Sequence, residues 1–145
     1  MITIQGVDVC QHSLERMGMA AVRAKPAMEK IALFLMETEV KIFEAQGRRG
    51  GGSWKRDTPE WAERKVEYGF DSRINIARGT LMKSLTKPGA TGQRLHIGYS
   101  KVELGSDLPY ADVTAQNRPF TNLVPGDLEK MRLIIEEYLM ERFYA

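Results

Sequence analysis

One face can be followed through Cys10, Leu14, Met17, Ala21, Ala24, Met28, Ile31, Leu35, Thr38, Ile42 and Ala45, in steps of four and three. That rhythm keeps a single face of an α-helix turned one way. Pro26 falls inside the run, where a proline either kinks a helix or opens a new one in its first turn. The face holds its register across the proline, so the pattern predicts two nearly collinear segments, about 8–24 and 25–46, with Asp8 as the N-cap. Leu33, Met36, Val40 and Phe43 add a second apolar face to the second segment. A helix apolar on two faces is buried on two sides. It is either a central core helix, or its second face, with Leu33, Met36 and Val40, meets another subunit.

Gly47 stands where a helix commonly ends. Thr58-Pro59-Glu60 reads as a fresh start, with a Thr cap, a Pro at the first position and an acid in the first turn, for a helix reaching about Tyr68. Ile2 to Gln5 alternates apolar and polar like a short strand, and Leu95, Ile97 and Tyr99 alternate with Arg94, His96 and Gly98 as the clearest strand. The following "KVELGSD" is a hairpin arm or a turn. Thr80 to Leu85 reads as a helical turn or a strand, and "LPYADVTAQ" as a short helix or a strand. Pro125 and Asp127 open a last helix with Leu128, Met131, Ile134, Ile135, Tyr138 and Leu139 on a broad face. Asp127 and Glu129 lie near its positive end and Arg142 near its negative end, the favourable dipole arrangement. The fold class predicted is α+β, with long N-terminal helices and a C-terminal helix packed on a small, mainly antiparallel sheet, as one domain over 1–145.

Composition narrows the function without naming it. The 145 residues are enough for one domain with a real core, and 28% charged against 43% hydrophobic residues is ordinary for a soluble globular chain. A net charge of +2 is too mild to imply a nucleic-acid partner by itself, so any such case must be local. Cys10 is the single cysteine, which excludes an internal disulfide. The first residues show no basic start followed by an apolar run, and the longest apolar run, Ile31 to Met36, falls far short of the roughly 20 residues of a membrane span. No membrane partner is expected, and synthesis in the cytoplasm is.

The stretch "GRRGGGSWKRDTPEWAERK", 47–65, carries the candidate chemistry. A phosphate loop would need G-x-x-x-x-G-K-[ST] between a strand and a helix, and here the glycines follow a helix with no Lys-Ser/Thr to close them. Arg48, Arg49, Lys55 and Arg56 surround Trp54. They read either as a grip on nucleic acid, with phosphates neutralised and a base stacked, or as a solvated loop with Trp54 anchored to the core. His12 and His96 lie in different elements, so a structural metal site with about four ligands is not expected. Glu136 and Glu137 lie on adjacent helix faces and read as solvated. No catalytic constellation and no cofactor motif is visible, and the residues point to a binding or assembly protein rather than an enzyme.

Taken in order, several landmarks resemble the phage virion-morphogenesis and tail-completion family, which includes the Mu-type G protein. A helix ends in Phe43, a glycine run follows (Gly50 to Gly52), and then come Trp54, Thr58 and Lys65. A glycine-leucine-serine element follows in "GTLMKSL", with Gly79, Leu81, Ser84 and Leu85. Ile97-Gly98 ends a strand, Tyr110-Ala111 comes next, and Arg118-Pro119-Phe120 precedes the last helix. The resemblance covers about residues 30 to 145, and the segment between Tyr110-Ala111 and Arg118-Pro119-Phe120 is shorter than is usual in the family. It implies a non-enzymatic structural protein of a tailed-phage virion, a tail-completion (neck) or tail-terminator protein at the head–tail junction. Such proteins act by self-association, here as a ring, six-fold by matching a tail tube, between tail-tube and head-connector proteins. Arg48, Arg49, Lys55 and Arg56 would then face DNA in the channel or acidic surfaces of a neighbour. The alternative from a different class is a DNA-binding module using 48–56.

Overall fold

The computed structural model describes residues 7–49, 53–120 and 123–145. The strand expected over Ile2 to Gln5 and the glycines Gly50 to Gly52 lie outside the described residues. Helix α1 spans Val7–Val22 and α2 spans Lys25–Glu44. Helix α1 begins at Val7, so Asp8 lies within its first turn rather than capping it. Pro26 lies in the first turn of α2, after Ala24 has left helical geometry (φ −85°, ψ 29°). A proline there gives up no intrahelical hydrogen bond, so it opens a second helix instead of kinking one.

Helix α6, Pro125–Phe143, runs antiparallel along both. Its end meets α1, where Arg16 Nη2 donates to Phe143 O (3.3 Å). Its middle meets the α1–α2 junction, where Tyr138 Oη donates to Arg23 O (3.2 Å), and its first half meets α2, where the Lys130 ammonium lies 5.9 Å from the Phe34 ring centre. Ala20, Ala24, Ala27, Met28, Ile31 and Tyr138 form the buried cluster between them, with Met131, Ile134, Ile135 and Leu139 packed against it. Leu128, expected on that face, is 54% exposed. The first turn of α6 is held instead through Asp127, whose pairing with Arg49 leaves Leu128 at the solvent.

The other side of α2 carries a second cluster. Short helix α3 (Pro59–Glu67) and α4 (Thr80–Thr86) precede a hairpin of β1 (Gln93–Ile97) and β2 (Val102–Ser106), and α5 (Ala111–Asn117) follows it. The strands are antiparallel with Leu95 opposite Leu104, and Gly98 N donates to Lys101 O (2.8 Å) across the connection. Leu95 and Ile97 face inward while Arg94 and His96 face solvent, the alternation the strand pattern predicts. Both open segments, 80–85 and the one around Ala111, are helices. Ile42, Phe43, Trp54, Ile76, Leu81, Leu85, Ala111 and Phe120 make the core here. The fold is thus α+β, with the sheet reduced to one hairpin among the described residues.

Helix α2 is the central element: its own chain covers it on both sides. This corrects the subunit reading for Met36, which is 4% exposed and part of the interior. Of the other two residues, Leu33 is 57% exposed and Val40 is half-buried.

Candidate functional site

The glycine-rich stretch begins with a tightly specified helix end. After the C-cap Ala45, Gln46 takes φ 55° and Gly47 takes φ 75°. Gly47 N donates to Ile42 O and Gln46 N to Phe43 O (both 3.1 Å), the paired bonds of a Schellman motif. The left-handed residue at the first position is a glutamine, not a glycine. Its side chain compensates: Nε2 donates to Phe43 O (2.8 Å) and Ile74 O (3.3 Å), and Oε1 accepts from Ile74 N. Gly47 is required for a different reason. A Cβ there would lie 2.3 Å from Trp54 Cδ1, because the indole packs directly over the glycine.

Trp54 is therefore the anchor of the loop. It is 5% exposed, its Nε1 donates to Pro119 O (2.6 Å), and its ring stands edge-on to Phe43 with centroids 5.2 Å apart. Phe120 stacks on the far side of Phe43 at 6.4 Å. Phe43, Trp54 and Phe120 come from three places in the chain and meet at the end of α2.

Beside them lies a buried charge network. Thr58 caps α3 by accepting Trp61 N (3.4 Å), and this fixes Asp57, the residue before it. Lys65 Nζ lies 2.7 Å from Asp57 Oδ2 and donates to Arg73 O (2.8 Å), and Arg118 Nη2 lies 3.0 Å from Asp57 Oδ1. The Lys65 side chain is only 2% exposed and that of Asp57 7%. A lysine is seldom so buried without a partner; here one carboxylate, placed by a helix cap, holds two cations. Asp57 is the residue that the sequence did not single out. Its partners lie 8 and 61 positions away, beyond any local spacing. Ser84 makes a further tie: its Oγ donates to Leu81 O (2.6 Å) and lies 2.9 Å from Ser106 Oγ, joining α4 to β2.

Most of the landmarks thus converge. Phe43, Trp54, Leu81, Leu85, Ala111 and Phe120 share one core, Lys65 and Arg118 share one carboxylate, and Pro119 accepts from Trp54. Gly79 and Tyr110 precede α4 and α5, and Gly98 follows β1; Tyr110 is 47% exposed and stands outside the core.

The four basic residues do not form one patch. Arg49 turns back on the molecule, where its two terminal nitrogens grip both oxygens of Asp127 at 2.9 and 3.0 Å. Burial raises the Asp127 carboxyl, but hydrogen bonds from Arg49 and Val124 N outweigh it and hold the group below its usual 3.8. Arg49 is therefore a structural residue and not a free contact for DNA or a neighbour. Arg48, Lys55 and Arg56 are exposed.

One buried acid stands apart. Glu39 on α2 is 6% exposed, its Oε2 has no hydrogen-bond partner among the described residues, and it lines a cavity of about 480 Å³ with Leu35, Val102, Leu104 and Leu123. Burial pushes its carboxyl up to about 8 against the opposing charge of Arg49. His12 and His96 are exposed on α1 and β1, and among the described residues no group of three His, Cys, Asp or Glu could hold a metal ion. No described helix is long and apolar enough to cross a membrane.

No family model matches the chain, and no curated protein or solved structure matches it significantly.

Proposed function

We propose that the chain is a structural protein of a tailed-phage virion, acting without catalysis as a ring at the head–tail junction, in tail completion or as a tail terminator. One observation carries the reading. Eight residues of the resemblance, dispersed from Phe43 to Phe120, gather into one aromatic core and one buried ion network, while Tyr110 stays exposed and Ile97 packs against the other cluster. The landmarks that gather there are residues on which this half of the fold depends.

The surface is compatible with self-association. Leu33 on α2 and Met19 and Val22 on α1 are 57%, 68% and 70% exposed, apolar side chains that a neighbouring subunit would cover. A heterologous contact repeated around an axis closes a ring, and six copies would match a tail tube. Tail tube on one side and head connector on the other are the neighbours proposed. Arg48, Lys55 and Arg56 would serve neighbour or channel contacts, with Arg49 left to its internal role.

Deleting the gene from the phage tests the reading. Heads and tails should accumulate unjoined, and purified protein added to the lysate should restore infectious particles. Normal joined particles from the deletion would end the proposal.

A further inference from the structure

A groove opens beside the charge network, at the edge of the core that holds Ile76 and Leu81. Its larger chamber, about 660 Å³, has Trp61, Phe70 and Tyr110 on its walls and Ile76, Leu81 and Leu108 among its apolar lining. A smaller chamber of about 310 Å³ shares Asn75, Thr114 and Arg118 with it and adds Lys55 and Arg56. The two therefore meet at Asn75, Thr114 and Arg118.

The electrostatics of this groove are one-sided. Lys55, Arg56, Lys65, Arg78 and Arg118 line the two chambers, and among the described residues no carboxylate lines either. Asp57, behind the wall, offsets only part of the charge of Lys65 and Arg118. At the junction Asn75 holds a left-handed backbone (φ 62°), and its Nδ2 is a buried donor with no acceptor among the described residues. Buried donors are almost always paired, so this one gains a partner when its amide turns out into the groove toward an acceptor there.

We infer that this groove binds an extended acidic segment of another polypeptide, one presenting a carboxylate beside an apolar side chain. The carboxylate would accept from Arg118 and, once its amide turns outward, from Asn75 Nδ2, the apolar neighbour would settle on Ile76, Leu81 and Leu108, and Arg78 and Arg56 would meet further acids at the rim. Nucleic acid fits less well. Successive stacked bases need several free ring faces, and here Phe70 already meets Arg78 at 5.1 Å and Tyr68 at 5.6 Å and Trp61 meets Lys65 at 6.0 Å, which leaves Tyr110 alone of the three wall rings. The inference rests on these residues alone and stands whether or not the chain belongs to a virion.

The test uses the whole protein, a fluorescein-labelled peptide of alternating Glu and Leu, the matching Lys and Leu peptide, and oligothymidylate. Binding is read by anisotropy, and its place by amide and indole NMR shifts. The acidic peptide should shift the Asn75 side-chain amide and the Trp61 indole, and the basic peptide should not. Asn75→Asp keeps the size and the tolerance of left-handed geometry but puts a carboxylate at the junction. It should weaken the acidic peptide about tenfold or more, as should Arg78→Glu at an exposed rim position, with unfolding midpoints little changed. Equal binding to Asn75→Asp, no shifts at Asn75 and Trp61 with millimolar peptide, or tighter binding of oligothymidylate through the same residues would each overturn the inference.

Discussion

Replacing Gly47 by alanine should destabilise the protein far more than the same change at Gly69. Both glycines have positive φ, 75° and 69°, so each alanine carries the strain of left-handed backbone, about 1–2 kcal/mol. Only at Gly47 does the new methyl meet anything. It would lie 2.3, 2.5 and 2.6 Å from Cδ1, Cγ and Nε1 of Trp54, while nothing lies within 4 Å at Gly69. Trp54 cannot retreat, because its other side is packed on Phe43 and its Nε1 is bonded to Pro119 O. Forcing a methyl into such packing costs roughly 1–3 kcal/mol more, so Gly47→Ala should cost about 2–5 kcal/mol in all. Urea unfolding followed by circular dichroism at matched m-values measures both variants. If Gly47→Ala loses no more stability than Gly69→Ala, the indole does not pack over the helix end, and the anchoring of the loop is refuted.

Three more changes probe the site. Trp54→Phe keeps a ring against Phe43 but loses the bond to Pro119 O, and should cost roughly 0.5–1.5 kcal/mol, against about 3–5 kcal/mol for Trp54→Ala; equal losses would mean that packing is not what the indole contributes. Lys65→Met leaves the buried Asp57 carboxylate with Arg118 alone and should cost about 1–3 kcal/mol, and Lys65→Met combined with Asp57→Asn should cost less than the sum of the two singles in a double-mutant cycle; strict additivity would deny the coupling. Glu39 titrates near 8 when folded and near the usual 4.5 when unfolded, so between those values the folded state holds the proton that the unfolded state has lost. Its contribution therefore falls as pH rises through that window, by up to about 1.4 kcal/mol per pH unit, and levels off above it. Glu39→Gln should flatten that part of the stability–pH curve, and an unchanged slope would show that another group causes it.

Local chemistry was the legible part of the sequence. Thr58-Pro59 starts α3, Gly47 belongs to the helix end, and alternation at 94–97 gives a strand, because each signal lies within a few residues of its effect. The long period through Pro26 gave the two helices but not the buried side of α1: Cys10, Leu14 and Ala21 are exposed there, and Ser13 and Ala20 are buried instead. What failed depended on partners distant in the chain. Met36 lies on a face that the sequence leaves as core or subunit contact, and only the folded chain, which buries it to 4% exposure, decides for the interior. Arg49 reads as a loop cation until Asp127, 78 positions away, takes it. Glu39 is the instructive case: it follows Leu35 by four and precedes Ile42 by three, so the periodicity already placed it in the buried stripe. Its charge concealed a position that its spacing disclosed.

Electron cryomicroscopy of the intact virion neck tests the central proposal most directly. A ring of this chain, six copies around the channel between head connector and tail tube, is the predicted result, with Trp54 buried in each subunit and Leu33 covered by a neighbour. A neck fully accounted for by other chains, in particles from which this one is absent, would contradict it.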